Sequence, residues 1–127
     1  MSAPTALIWI GVFFAGGVGA WCRFQLDGLI GRHWRRSIPA GTFTINVLGS
    51  FGLGLFTALA LHRSELGWLP VVLGTGMMGG FTTFSTANVE VVRLMLSGRR
   101  AAGLGLHLAT LVVASAAAVL GLVLGDL

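Results

Sequence analysis

Apolar residues run in long, almost unbroken stretches separated by short polar connections, without the alternation of a half-buried strand. An apolar helix needs roughly 20 residues to cross the hydrocarbon core of a bilayer. Four stretches reach that length, at about 5–29, 39–62, 68–96 and 101–124. The pattern predicts an all-α membrane protein with four transmembrane helices in a single domain over 1–127. "GRHWRRSIP" joins the first two spans, and its arginines and Trp34 suit a lipid headgroup layer. Within it Ser37 is a candidate N-cap, and Pro39 falls in the first helical turn, where proline is tolerated. A short "RSELGW" loop precedes the third span.

That third span is too long for a straight helix. At ~1.5 Å per residue it would extend ~43 Å, against a hydrocarbon core of ~30 Å. Tilt absorbs part of the excess. Gly79-Gly80, followed by a run of Thr and Ser, is also where a helix breaks cheaply, so a third helix broken near its middle is expected. Irregular backbone at membrane depth is tolerated only where protein buries it or water reaches it. The stretch "GGFTTFSTANVE", Gly79 to Glu90, must therefore face a protein interface or line a polar path.

Composition agrees with the pattern. Hydrophobic residues make up 55% of the 127, charged residues only 9%, and the mean hydropathy is +0.90, more apolar surface than one small soluble core can bury. The 20 glycines fit a class in which small residues let helices approach closely. The single Cys22 forms neither an intrachain disulfide nor a multi-thiolate metal site and reads as a packing residue. The opening "MSAPTALIWIGVFFAGGVGA" lacks the positive n-region of a secretory signal, so it reads as a retained first span.

The arginines supply an orientation. Arg32, Arg35 and Arg36 lie in the first connection and Arg99 and Arg100 in the third, with Arg23 and Arg93 close to the same side; only Arg63 lies on the other. By the positive-inside rule the first and third connections are cytoplasmic and both termini extracytoplasmic, in one fixed orientation. Arg23, some 24 Å along its span at ~1.5 Å per residue, is expected near the cytoplasmic boundary.

Polar residues within the spans fall into patterns. Thr42, Asn46 and Ser50 recur at spacing four on one helical stripe. Asn46 either bonds across a helix interface or turns its N–H donors to an anion in a water-filled path. The fourth span carries His107, Thr110 and Ser115, with His107 read as a packing residue; Glu90 is placed to pair with Arg93. Small residues recur four apart in Ala15/Gly19, Gly16/Ala20, Ser50/Gly54, Gly76/Gly80 and Gly121/Gly125, predicting close helix packing, part of it between subunits. There is no HExxH, GxSxG, phosphate-binding glycine loop or pair of intramembrane carboxylates, so an enzyme is not expected.

Three motifs together resemble the small bacterial fluoride channels of the Fluc/CrcB family: "GGVGAWCRF" from Gly16, "GTFTINVLGSF" from Gly41 and "GMMGGFTTFSTANVE" from Gly76. The resemblance covers all four spans. It implies an antiparallel dimer of four-helix subunits in a bacterial plasma membrane. Two fluoride pathways along the subunit interface would export cytoplasmic fluoride down its electrochemical gradient, and a central structural Na+ would hold the dimer. By the same resemblance Asn46 is the pore asparagine, Thr42 a polar residue one turn before it, Phe84 the first of two pore phenylalanines and Arg23 the vestibule arginine. Ser85 and Thr86 fall in a polar track, Thr110 is the fourth-span hydroxyl, and the backbone carbonyls of Gly79 and Thr82 hold the sodium. Glu90 matches an acidic family position. The expected partners are fluoride, membrane lipid and a second subunit, with no nucleic acid.

One residue departs from that family's pattern, which continues TTFST with phenylalanine where this chain has Ala87. With the fixed orientation, this leads to the expectation of an oppositely oriented paralogue that supplies the missing pore group; the alternative is a homodimer with one pathway altered. A small multidrug exporter is disfavoured because its first span needs a carboxylate for proton exchange, and here that span carries Arg23 and, near its end, Asp27. A subunit that only stabilises another membrane protein is the remaining alternative.

Overall fold

The computed structural model describes residues 3–34 and 39–127, and among these every regular element is helical. Arg35, Arg36 and the candidate cap Ser37 lie outside the described residues. Helix α1 (Ala3–His33) extends beyond its predicted limits at both ends. Helix α2 (Gly41–His62) begins after Pro39, and its N-cap Ala40 supplies no side-chain bond. A 3-10 turn at Ser64–Leu66 leads to α3 (Leu69–Val71), which continues as a π-helical stretch, Val72–Met78, and then as α4 (Gly79–Phe81). After an interruption come α5 (Ser85–Leu96) and α6 (Arg100–Asp126). Three helices, within 4–33, 41–62 and 100–126, are long and apolar enough to cross a membrane; the third predicted span is split into pieces too short to qualify alone.

The split falls at Thr82–Phe84, not at the glycine pair expected to cause it: Gly79 and Gly80 are helical, and Thr82 turns extended with φ −78 and ψ 158. The glycines act through packing instead. A Cβ on Gly80 would strike the carbonyl of Gly16 in α1, and one on Gly19 would strike the carbonyl of Met77. The α2–α6 seam is built likewise, Gly54 lying against the Ala118 carbonyl and Gly121 against that of Phe51. The small residues of the sequence thus join helices of the same chain at backbone contact.

These contacts fix directions. Segment 69–81 runs parallel to α1, with Gly11 facing Val72 and Gly16 facing Gly80. Segment 69–96 is antiparallel to α2, with Gly52 at Met78, Gly49 at Thr82 and Thr42 at Glu90. α6 is parallel to α2, and a His62 Nε2–Asp126 Oδ1 pair of 3.1 Å joins their C-terminal ends. Direction therefore alternates along the chain, and the ends carrying Arg32 and Arg100 lie together, away from Arg63. The core is small: Ile45 and Ala58 are 1% exposed, and most large apolar side chains face outward.

Candidate functional site

The interruption after α4 is held by side chains from neighbouring helices. The helical ladder ends where the Thr82 amide meets the Met78 carbonyl at 3.0 Å, and the Thr82 hydroxyl donates to that same oxygen, also at 3.0 Å. The next amide, that of Thr83, turns aside to Asn46 Oδ1 at 2.9 Å, while Asn46 Nδ2 donates to the Thr83 carbonyl at 2.8 Å. A primary amide is suited to this because it carries a donor and an acceptor side by side. Thr83 Oγ1 then accepts from the Thr86 amide at 3.3 Å, starting α5. Arg23 reaches across from α1 and donates to the Thr82 carbonyl at 3.1 Å. Its guanidinium is thus drawn to the break.

Asn46 therefore makes the interhelical bonds of the first sequence reading, and this engages one of its two Nδ2 hydrogens. Thr42 is 3% exposed and donates to Glu90 Oε1 at 2.9 Å. That bond corrects the expected Glu90–Arg93 pairing, since no ion pair joins those two. Thr110 gives its hydroxyl hydrogen back to the Leu106 carbonyl at 2.7 Å, leaving only its oxygen lone pairs to face the space beyond.

A cleft of about 350 Å³ opens between α2, α5 and α6. It receives Thr42, Asn46 and Ser50 from α2, and His107, Thr110 and Ser115 from α6, with Phe84 and Ala87 at the start of α5. Phe84 is 84% exposed in the single chain, so nothing within the chain covers its ring. A second cleft, of about 170 Å³, is lined by Arg23 and Asp27 with Thr83 and Thr86, and Thr42 borders both. Of the sequence-predicted pathway residues, Asn46, Thr42, Phe84 and Thr110 meet in the larger cleft, while Arg23 and Thr86 line the smaller. Ser85 is exposed and lines neither.

Thr83 is the residue sequence reasoning passed over, although its backbone and hydroxyl are the hub of the break. Its neighbours Thr82, Phe84 and Thr86 matched a pattern, and nothing local marks Thr83 as the one Asn46 takes. His107 and Ser115, read from sequence as fourth-span polar residues, also prove to line the cleft. Their spacings from Thr110, three and five, gave partial notice.

The break is electrically polarised. The first turn of α5 presents amides with no intrahelical partner, the positive end of a helix dipole, and the last turn of α4 presents carbonyls, the negative end of the preceding segment. An interrupted membrane helix offers an anion one end and a cation the other. The carbonyls of Gly79 and Thr82 fit a hard cation: the Thr83 amide that would close onto Gly79 bonds Asn46 instead, and the Thr82 carbonyl, outside the ladder, accepts from Arg23 and keeps its second lone pair. Among the described residues no cluster of three or more His, Cys, Asp or Glu offers another metal site.

Three membrane-capable helices, a broken fourth segment and a polar cleft beside the break define a polytopic membrane protein of the channel or transporter type. Residues 10–122 match the family described as CrcB-like protein, Camphor Resistance (CrcB), and the chain belongs to that family. It is 48% identical to the fluoride-specific ion channel FluC 1 of Leifsonia xyli over 97% of this chain and 90% of that protein. The corresponding figures for FluC 2 of Cutibacterium acnes are 47%, over 94% and 97%. For FluC 2 of Mycobacterium tuberculosis they are 39%, over 95% of each chain.

Proposed function

We propose that the chain is a subunit of a fluoride-selective channel that lets cytoplasmic fluoride leave a bacterial cell down its electrochemical gradient. The observation that carries this reading is the larger cleft, where Asn46, Ser50 and Ser115 converge on the exposed Phe84 beside the N-terminus of α5. The names of the relatives point the same way. A small, hard anion gives up its water only to good donors, and the free Nδ2 hydrogen of Asn46 and the two serine hydroxyls supply them. Phe84 presents the positive edge of its ring. No arginine lines this cleft, and its one carboxylate, Glu90, accepts from Thr42, so an entering anion meets no fixed positive charge strong enough to trap it. Arg23, in the smaller cleft, raises the local anion concentration without trapping the ion.

The cleft is open on one side, and we read that side as closed by a second, antiparallel subunit. Four helical segments of this length do not by themselves enclose two satisfied polar paths. Gly79 and Thr82 would hold Na+ through their carbonyls, and the cation, when bound, neutralises the negative end of the broken segment at the subunit junction. Two oxygens from one chain are too few for a hard cation, which fits a site shared between copies.

A second reading is favoured by one observation. Ala87 lines the cleft one turn after Phe84, so the position of the second family phenylalanine opens onto the pathway and holds only a methyl group. The chain is then one half of a heterodimer whose oppositely oriented paralogue provides the aromatic edge, and one pathway is altered or closed. Fluoride efflux from liposomes distinguishes the readings. Efflux with this chain alone supports the homodimer, and efflux only when the paralogue is co-reconstituted supports the heterodimer. No fluoride-selective efflux in either case would overturn both. Substituting Asn46 or Phe84 in the conducting assembly must lower flux, or the polar track is scaffolding.

A further inference from the structure

In a continuous helix the amide of Thr83 would close onto the carbonyl of Gly79, four residues earlier. Here that amide lies 2.9 Å from Asn46 Oδ1, and the carbonyl of the same residue is held at 2.8 Å by Asn46 Nδ2. The preceding rung, Thr82 to Met78, is intact at 3.0 Å, so the ladder stops where Asn46 intervenes. The clamp is anchored: Asn46 follows Ile45, which is 1% exposed, and one turn later Gly49 packs against the Thr82 side chain.

We infer that Asn46 is a positioning residue for the cation site, holding the Thr83 amide away from the Gly79 carbonyl so that this oxygen stays available to a hard cation. The inference rests on the cation reading proposed above. It assigns to one side chain two tasks on opposite sides of the break: one amide hydrogen faces the anion cleft, and the amide oxygen keeps the cation's ligand free. The anion path and the cation site thereby share a residue. A substitution chosen to alter the path should also alter cation binding.

The test uses the purified full-length chain in its assembled form. Thermal unfolding midpoints are compared in NaCl and in choline chloride, and the readout is the sodium-specific shift within each variant, which cancels basal destabilisation. Wild type should show a positive shift. Asn46→Leu removes the acceptor at similar volume, lets the Thr83 amide return to Gly79, and should abolish the shift. Adding Thr83→Pro to that variant deletes the competing amide and should restore it. Proline is placed there only in the Asn46→Leu background, where the oxygen that would meet its ring is gone and Thr82 already has the extended backbone a preceding residue requires. Asn46→Asp keeps an oxygen acceptor for the Thr83 amide and should retain the shift, which keeps the inference testable if Asn46→Leu does not fold; loss of the shift in Asn46→Asp would overturn it. A wild-type shift that survives Asn46→Leu overturns the role of Asn46 alone. No sodium-specific shift in the wild type removes the cation site, and the inference with it.

Discussion

Phe84 and Thr42 lie in the same cleft and differ in what the chain itself asks of them. Phe84 is 84% exposed and supports no intrachain packing, so Phe84→Ala should leave stability of the single chain within about 0.5 kcal/mol, as for other exposed substitutions. Its flux should nonetheless fall about tenfold or more, the equivalent of losing one interaction of roughly 1.4 kcal/mol along the path. Paired denaturation and efflux measurements check this. Thr42 is 3% exposed, and its hydroxyl is the donor to Glu90 Oε1. Thr42→Val keeps the shape and leaves a carboxylate oxygen without its donor, which should cost about 1–3 kcal/mol, whereas Thr42→Ser should be close to neutral. A loss in Thr42→Ser with none in Thr42→Val, measured by denaturation in detergent, would show that the methyl group and not the bond matters. The sequence placed Thr42, Asn46 and Phe84 near one another through spacing and resemblance. It could not show that Thr42 meets Glu90, because Arg93 at spacing three was the nearer local partner and the choice is made by packing of α5 on α2.

Among the elements, the break and the seams around it carry the fold. The sequence marked the break to within a few residues through span length, but attributed it to glycine flexibility. The helix continues through Gly79 and Gly80 because α1 packs against it there. It stops at Thr83 because a side chain from α2, 37 residues away in sequence, captures the next amide. No local pattern contains that information. The spacing of small residues likewise predicted close approach without naming the neighbours, since α1 and α6 have little amphipathic asymmetry to say which face is inward. The seam between α1 and α4 gives a direct check. Gly80→Ala puts a methyl group against the backbone carbonyl of Gly16, which has no soft end to yield, and should cost about 1–3 kcal/mol. Gly17→Ala, in α1 beside Gly16 but with nothing within 4 Å, should be neutral or stabilising by up to about 1 kcal/mol. Comparable losses at the two sites, read from unfolding midpoints in detergent, would mean that the seam is looser than described.

For the whole molecule, orientation decides what the cleft can become. The alternating directions gather Arg32, Arg99 and Arg100 at one end and leave Arg63 at the other, so the arginine asymmetry seen in the sequence is an asymmetry of the folded object. A chain inserted one way meets only parallel copies of itself, and an antiparallel partner must then come from another sequence. The orientation reading predicts that a phosphatase active only outside the cytoplasm, fused after Leu127, is active, and that a cytoplasm-only fluorescent reporter at the same place is dark. It further predicts how to break the rule. Replacing Arg32, Arg35, Arg36, Arg99 and Arg100 with serine leaves only Arg23 and Arg93 against Arg63 and should produce both reporter signals from one chain, because the arginines flanking the spans set the orientation. If the unsubstituted chain already gives both signals, it can pair with an inverted copy of itself, and the demand for a paralogue falls away. Ala87 would then be a feature of a homodimer, with the methyl group facing both pathways and Phe84 as the only aromatic edge each of them receives from this position of the helix.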